Sequence, residues 1–169
     1  MAGMDSRIIP TFLALSAAGV IGVAVNEGYR FNAYDDGVGV QTVGFGSTTH
    51  ANGLPVKRGD TLSVERALIR LGDDVAQKER DMRACLGLVP LFPHEWDAYV
   101  ALAYNIGTGA FCRSTLVRKL KAAPPDYAGA CAEILKWNRA GGQVLSGLVK
   151  RRQDEFKRCT EGADDAPRR

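Results

Sequence analysis

Apolar and polar positions divide the chain into three parts with different spacing. Residues 8–25 carry no charged side chain. Over residues 33–46, Val, Phe and Thr stand among glycines in near alternation, which predicts a small β-hairpin. From residue 60 onward the apolar residues recur every three or four positions, as they do on one face of a helix. We therefore predict a small sheet followed by a series of helices.

Helices are predicted after the hairpin over about residues 61–82, 95–107, 114–122, 126–138 and 145–159. The apolar face of the first comprises Leu62, Ala67, Leu68, Leu71 and Val75, and that of the second comprises Trp96, Tyr99, Val100, Ala103 and Ile106. Gly107 and Gly109 are expected to end the second helix, and Asp126 to cap the fourth. The charged runs at residues 79–83 and 151–158 are predicted to be solvated helix faces with i,i+4 partners.

The uncharged run is 18 residues long, which is close to the lower limit for a membrane-spanning helix. If it were a cleaved signal peptide, the nearest small-x-small site, at residues 22–24, would leave Glu27 almost at the new N-terminus. As a helix of a soluble protein it would need burial on every side. As a membrane segment it is weak, because its nine strongly apolar residues contribute only about −3 to −5 kcal/mol, and Pro10 and the glycines oppose them.

Small residues recur every four positions in this run, at Ala14, Ala18 and Gly22. Such a stripe allows close helix packing in lipid or in protein, and it does not discriminate between the two. Arg7 precedes the run and only Asp5 opposes it, so the positive-inside rule places the N-terminus in the cytoplasm and the rest outside. Export would place the cysteines in an oxidising compartment.

Composition narrows the class of protein. The chain has 169 residues, of which 46% are hydrophobic and 24% charged, so a folded globular chain is expected. The net charge is only +3 and the basic residues are scattered, which argues against nucleic-acid binding. Four cysteines without a CxxC pair argue against zinc or a redox site, and leave buried thiols or two disulfides in one of three pairings. We expect a monomer without metal or cofactor, with His50 and His94 in loops.

Two carboxylates differ from the other acidic residues in their surroundings. Glu27 follows the apolar run almost directly, and burial of one side would favour the protonated acid. Asp36 lies in the glycine-rich hairpin and is expected to be exposed and ionised. A protonated acid and a carboxylate are what cleavage of a glycosidic bond requires. On this argument alone, ordinary roles at a helix end and in a turn stay open for both residues.

The order and spacing of three residues are more specific. Glu27 is followed after eight residues by Asp36, and after five more by Thr42. This arrangement resembles the active-site signature of the phage lysozymes of glycoside hydrolase family 24. The similarity extends to TVGFG at residues 42–46 and to stretches at 103–107 and 137–152, and it spans roughly residues 26–159.

The resemblance implies an α+β, lysozyme-like fold, mostly helical, with a small antiparallel β-hairpin sheet beside the active-site cleft. It implies that Glu27 is the general acid, Asp36 the second carboxylate and Thr42 a hydroxyl that helps to place the attacking water. Asp35 competes with its neighbour, but adjacent residues of an extended segment point to opposite faces, and the family's spacing selects Asp36.

The implied activity is that of an endolysin, a muramidase that cuts the β-1,4 bond between N-acetylmuramic acid and N-acetylglucosamine with inversion during host-cell lysis. Its partner would be the glycan strands of peptidoglycan. On the family's helix arrangement we also expect disulfides Cys85–Cys112 and Cys131–Cys159. A lytic transglycosylase, or a non-catalytic wall-binding or virion structural protein, is the alternative.

The apolar run ends just before Glu27, which resembles the signal-anchor-release endolysins, phage enzymes tethered to the inner membrane by a weak N-terminal helix. This implies an anchor segment at residues 1–26, a catalytic domain at 27–160 and a polar tail at 161–169. The anchor would bind the host inner membrane through residues 8–25, with the catalytic domain in the periplasm. On release from the membrane, the enzyme would become soluble in the periplasm. Because the anchor contains no cysteine, we expect control by the position of this helix.

Overall fold

The computed structural model describes residues 7–37 and 39–161, and these form two compact units. The first unit comprises the described residues up to Gly19 together with those from Lys78 onward. The second comprises Val20–Gln77. Asp5, and the polar tail apart from Glu161, lie outside the described residues.

The predicted hairpin lies in the second unit. Strand β1 (Arg30–Asp35) pairs antiparallel with β2 (Gln41–Gly44), and Tyr34 stands opposite Thr42. The hairpin therefore begins a few residues earlier than the alternation of apolar residues indicated. A second hairpin, β3 (Arg139–Ala140) and β4 (Gln143–Val144), was not predicted, because its strands have only two residues each.

The described residues form seven α-helices, which confirms a mostly helical α+β fold. They are α1 (Ala17–Glu27), α2 (Val64–Leu86), α3 (Pro93–Ile106), α4 (Thr108–Cys112), α5 (Thr115–Leu120), α6 (Tyr127–Ile134) and α7 (Ser146–Thr160). Asp126 caps α6 as predicted, its carboxylate accepting a hydrogen bond from the Gly129 N–H at 2.8 Å. The helix predicted over residues 126–138 ends at Ile134, shortly before β3 begins.

Helix α3 forms the centre of the first unit. Trp96, Tyr99 and Val100 are fully buried, as their spacing predicted, and burial of such side chains stabilises a fold by roughly 1.5–3 kcal/mol each. The helix packs on α7 and ends at Gly107, whose φ of 84° is accessible to glycine at no steric cost.

Three local expectations were wrong. Gly109 does not end a helix but lies within α4, which begins at Thr108 directly after Gly107. His94 is in the first turn of α3, not in a loop. Leu68 is 48% exposed, because the buried stripe of α2 passes through its neighbour Ala67 and a one-residue step turns a side chain about 100° around the helix axis.

The uncharged N-terminal run does not form one helix. The backbones of Ile8 and Leu91 exchange hydrogen bonds of 2.7 and 2.9 Å, and residues Pro10–Phe12 form a single 3-10 turn. Helix α1 begins only at Ala17, where the Ser16 hydroxyl accepts a hydrogen bond from the Gly19 N–H. Among the described residues, no helix has both the length and the apolar character needed to cross a membrane.

Charged side chains of α2 and α3 bind the backbone of the N-terminal segment, which we define as residues 7–16. Arg83 donates to the carbonyl oxygens of Pro10, at 3.0 Å, and Leu13, at 2.6 Å. Glu79 accepts from the Leu15 N–H at 2.6 Å. These two residues were predicted to be solvated, but Glu79 is buried, and only their i,i+4 ion pair at 3.4 Å matches the expectation.

Two more carboxylates of α3 hold the ends of this segment. Asp97 accepts from both the backbone N–H, at 2.9 Å, and the hydroxyl of Ser16. Glu95 accepts two hydrogen bonds from the Arg7 guanidinium, at 3.1 and 3.2 Å. That guanidinium also lies 3.7 Å from the centre of the Tyr127 ring, a cation–π contact.

A charged pair of α7 was also predicted to be solvated, and this expectation was wrong. Arg152 and Glu155 are buried and form an ion pair of 2.8 Å, and Arg152 donates to the Asn105 side chain at 3.0 Å. Burial raises the pKa of the Glu155 carboxyl, although Arg152 and Arg151 act in the opposite direction.

Two disulfides join Cys85 to Cys112 and Cys131 to Cys159, each with a Cα–Cα distance of 5.8 Å. These are the pairs implied by the family resemblance. The first ties the end of α2 to α4, and the second ties α6 to α7. Both lie within the first unit.

Removing the second disulfide with the double variant Cys131→Ser, Cys159→Ser is expected to lower the free energy of unfolding by about 2–4 kcal/mol, because the unfolded chain gains conformational freedom. Urea denaturation measures this change. In the variant, a reductant should lower stability only by breaking the remaining Cys85–Cys112 bond. If the variant unfolds at the same urea concentration as the wild type, the Cys131–Cys159 bond does not stabilise the fold.

Candidate functional site

The carboxylate of Glu27 lies beside the end of the TVGFG segment. Glu27 is the last residue of α1 and is half-buried. A side-chain carbon added at Gly46 would lie 3.7 Å from Glu27 Oε2, so the backbone at residue 46 passes close to this carboxylate. Gly46 has a φ of 93°, a conformation that other residues adopt only with strain. A glycine is thus needed at the point where the two segments meet.

The hairpin brings Asp36 and Thr42 to the same face. Thr42 pairs with Tyr34, and the Asp36 backbone N–H donates to the Val40 carbonyl oxygen at 3.1 Å, which continues the pairing by one step. Because side chains alternate along a strand, Tyr34, Asp36 and Thr42 lie on one face and Asp35 on the other.

Asp35 and Asp36 have different surroundings in the turn. Asp35 Oδ1 accepts from the N–H groups of Gly37, at 2.8 Å, and Gly39, at 3.1 Å, so this carboxylate holds the turn. Asp36 Oδ1 accepts from the Val40 N–H at 3.1 Å, and the side chain is exposed. The choice of Asp36 made from the sequence agrees with this division of roles and stays a prediction.

Thr42 is the most enclosed of the three predicted catalytic residues. It is 4% exposed, and its hydroxyl lies 3.5 Å from the Val40 carbonyl oxygen, to which it donates. An enclosed hydroxyl with a fixed acceptor has a defined direction. The hydroxyl is thus a positioned polar group beside the hairpin turn.

A buried serine supports the turn after Thr42. Ser47 exchanges two backbone hydrogen bonds with Val43, at 2.9 and 3.0 Å, which close the turn that contains Gly46. Its hydroxyl donates to Asp74 Oδ2 at 3.3 Å. Sequence reasoning missed this contact, because a serine after glycine has no spacing that identifies it.

Tyr29 fixes the connection between Glu27 and β1. Its hydroxyl donates to the Leu62 carbonyl oxygen at 2.7 Å, and its ring packs on Phe45 with 5.6 Å between ring centres. The three predicted catalytic residues all lie in the second unit, at the end of a helix, in a hairpin turn and on a strand.

A hydrogen-bonded pair, His50 and Asp60, holds the loop that follows Ser47. His50 Nε2 lies 2.8 Å from Asp60 Oδ2, and the Lys57 N–H donates to the same oxygen at 2.8 Å. The bond from Lys57, and then the one with His50, keep the pKa of the Asp60 carboxyl below its usual range. His50 therefore has a structural partner within its own loop.

Comparison with known proteins gives one consistent result. The family model described as phage lysozyme matches residues 24–155. An endolysin of Acyrthosiphon pisum secondary endosymbiont phage 1 is 38% identical over 145 residues, which cover 83% of this chain and 94% of the relative. A SAR-endolysin of Bacteriophage PS34 is 33% identical over 136 residues, covering 80% of this chain and 77% of the relative.

Solved structures agree with the sequence comparison. A mutant of P22 lysozyme has a TM-score of 0.74 at 32% identity, covering 87% of this chain and 98% of the other. The active form of P1 phage endolysin Lyz has a TM-score of 0.76 at 19% identity, covering 92% and 90%, and is similar in fold alone. The secreted inactive form of the same endolysin has a TM-score of 0.54 at 16% identity, covering 90% and 99%.

Proposed function

Because the chain belongs to the phage lysozyme family and is a lysozyme-type glycoside hydrolase, we propose that it hydrolyses a defined bond of peptidoglycan. That bond is the β-1,4 linkage between N-acetylmuramic acid and N-acetylglucosamine. The chain acts as an endolysin, which opens the host wall from within at the end of infection. Its substrate is the glycan strand.

Glu27, Asp36 and Thr42 carry the reaction in this proposal. Protonated Glu27 gives its proton to the glycosidic oxygen as the bond to the anomeric carbon breaks. A water molecule held by the Thr42 hydroxyl attacks that carbon from the opposite face and gives its proton to the carboxylate of Asp36. A single displacement of this kind inverts the configuration of the anomeric carbon.

The observation that carries this proposal is the approach of Glu27 to Gly46. It brings the acid to the end of the segment that starts with Thr42, and the hairpin places Asp36 on the same face as that threonine. All three residues lie within residues 27–42 and in the same unit, and the chemistry of their side chains suits glycoside hydrolysis, which supports the proposal.

Replacing the acid tests the assignment directly. Glu27→Gln keeps the shape of the side chain but has no acidic proton, so clearing of permeabilised bacteria should fall by about 10²- to 10⁴-fold. Asp36→Asn should lose activity as well, whereas Asp35→Asn should keep most of it. Continued lysis by folded Glu27→Gln protein would refute the role of Glu27. Mass spectrometry of the products distinguishes hydrolysis from a lytic transglycosylase, whose anhydro product is one water lighter.

The contact with Gly46 can be tested with a matched pair of glycine variants. Gly46→Ala and Gly53→Ala both place a side chain at positive φ, 93° and 79°, so each should cost about 1–2 kcal/mol of stability. Only the first adds an atom beside Glu27, since nothing lies within 4 Å of the carbon added at Gly53. Steady-state assays well below both unfolding temperatures should show a lower kcat for Gly46→Ala alone. Equal kcat values for Gly46→Ala and Gly53→Ala would show that the close approach of residue 46 to Glu27 does not affect catalysis.

We further propose that membrane release controls the enzyme. The chain is first tethered through residues 8–25 with its N-terminus in the cytoplasm, and it leaves the bilayer when the membrane is depolarised. Related SAR-endolysins, the marginal hydrophobicity of the run and its polar contacts support this. In lipid, the run would hold Glu27 at the bilayer surface, apart from the other two residues. After release, Glu79, Arg83 and Asp97 bind the backbone of the N-terminal segment.

Weakening that binding is expected to keep the enzyme at the membrane. Arg83→Met removes two hydrogen bonds to backbone carbonyl oxygens, so a smaller fraction should become soluble when the membrane potential is collapsed. Membrane fractionation before and after collapse measures this fraction. Arg66→Met is the matched control, because Arg66 is an exposed arginine of the same helix whose side chain has no hydrogen bond or ion pair within the described residues. A wild-type protein that is soluble before collapse would overturn membrane control, and equal release of both variants would exclude Arg83 from it.

A further inference from the structure

The second unit contains a cavity that the proposed reaction does not use. Its volume is about 470 Å³, within the range of sites that bind small molecules. One wall is the face of α2 that carries Arg66, Ile69, Arg70 and Asp73, and the opposite wall is the turn at residues 49–52. We call this cavity the α2 groove.

The α2 groove lies on the opposite side of strand β2 from the catalytic face. Val43 lines it, and Val43 follows Thr42 directly. Because neighbouring side chains of a strand point to opposite faces, a ligand in the groove would not meet the Thr42 hydroxyl. Val43 is buried, and Leu62 continues the apolar lining. The groove therefore has an apolar floor of its own.

Two opposite charges stand at the two ends of the helical wall. Arg66 and Asp73 are seven residues apart, which corresponds to about 10.5 Å along a helix. Both are exposed, and neither side chain has a hydrogen bond or an ion pair within residues 7–37 and 39–161. Ile69 lies between them on the same face and is 62% exposed. The wall thus presents a cation, an apolar surface and an anion in that order.

The other polar residues of the groove are already bound within the protein. Arg70 donates to the Thr49 hydroxyl at 2.9 Å and forms an ion pair with Asp74 at 3.5 Å. His50 is held by Asp60. These contacts tie the turn to α2 and fix the width of the groove, so its shape exists before a ligand binds. Arg66 and Asp73 remain as the charges available to a ligand.

We propose that the α2 groove binds a short zwitterionic peptide with small apolar side chains. Its carboxylate lies at Arg66 and its ammonium group at Asp73, while methyl groups contact Val43, Leu62 and Ile69. An extended tripeptide spans about 10 Å, which matches the separation of the two charges. Arg66 is in the first turn of α2, where the helix dipole also favours a negative group, so the dipole selects this orientation over the reverse.

Within the proposed function, the natural ligand is the peptide portion of peptidoglycan, which has a free carboxylate at its end and a free ammonium group on the side chain of its diamino acid. The groove would then give the enzyme a second contact with the wall, separate from the glycan at the catalytic face. This biological role rests on the proposed function, whereas peptide binding by the groove does not.

The test uses trialanine as the probe and the full chain labelled with ¹⁵N. Titration should shift the backbone amide signals of residues 43, 49–52 and 62–73 and leave those of α6 and α7 unchanged. Acetylating the amino end or amidating the carboxyl end should each weaken binding about tenfold, because each removes one charged contact. Binding that is equally strong with both ends blocked, or no shift at all, would overturn the proposal.

Single substitutions test whether the charges of Arg66 and Asp73 bind the peptide. Arg66→Gln and Asp73→Asn should each weaken trialanine binding about tenfold, and Arg66→Gln should abolish the effect of amidating the peptide. Glu65→Gln, an exposed neighbour on another face of α2, is the control and should bind as the wild type does. Unchanged binding by Arg66→Gln and Asp73→Asn would also overturn the proposal.

Catalysis and groove binding can fail independently. Glu27→Gln should bind trialanine with unchanged affinity while losing activity on walls. A wild-type chain that binds the peptide but does not cleave walls would refute the proposed function and leave the groove assignment standing. A chain that cleaves walls but does not bind the peptide would refute the groove assignment and leave the proposed function standing.

Discussion

The need of every buried backbone polar group for a hydrogen-bond partner governs the N-terminal part of this protein. An apolar run of 18 residues could satisfy that need by forming a single helix, but Pro10 has no N–H and the run is interrupted before Ala17. The groups left over are bound by side chains instead, with Glu79 accepting from an N–H group and Arg83 donating to carbonyl oxygens. The segment thus carries almost no charge itself, yet it is held by charged partners.

The two ends of α1 are set by different local features. Ser16 ends the irregular part of the chain, because its N–H and hydroxyl donate to Asp97 while its hydroxyl caps the helix at Gly19. Eleven residues later the helix ends at Glu27, where the chain turns into the hairpin. The proposed catalytic acid thus stands directly before Gly28, whose φ of 70° ends the helix, and beside the backbone of Gly46.

Much of the fold and the candidate site could be predicted from the sequence, because each rests on a repeating or fixed spacing. The helical period identified the buried face of α3, and the separation of Glu27, Asp36 and Thr42 pointed to the family. Buried charges could not be predicted in this way. Glu79 and Arg152 stand in charged runs that look the same as solvated helix faces, and only long-range partners distinguish them. The short α4 and the second hairpin fall below the length at which periodicity is measurable.

Strand β2 connects the two proposed sites of the second unit, because neighbouring side chains of an extended chain point to opposite faces. Thr42 and Val43 are adjacent, so one side chain belongs to the face of Tyr34 and Asp36 while the other lines the α2 groove. The bonds between Val43 and Ser47 close the glycine turn that reaches Glu27, and the Ser47 hydroxyl contacts Asp74, which also pairs with Arg70 in the groove wall. The same few residues therefore hold both faces of the strand. A ligand in the α2 groove would bind to the element that carries the Thr42 hydroxyl without touching the chemistry itself.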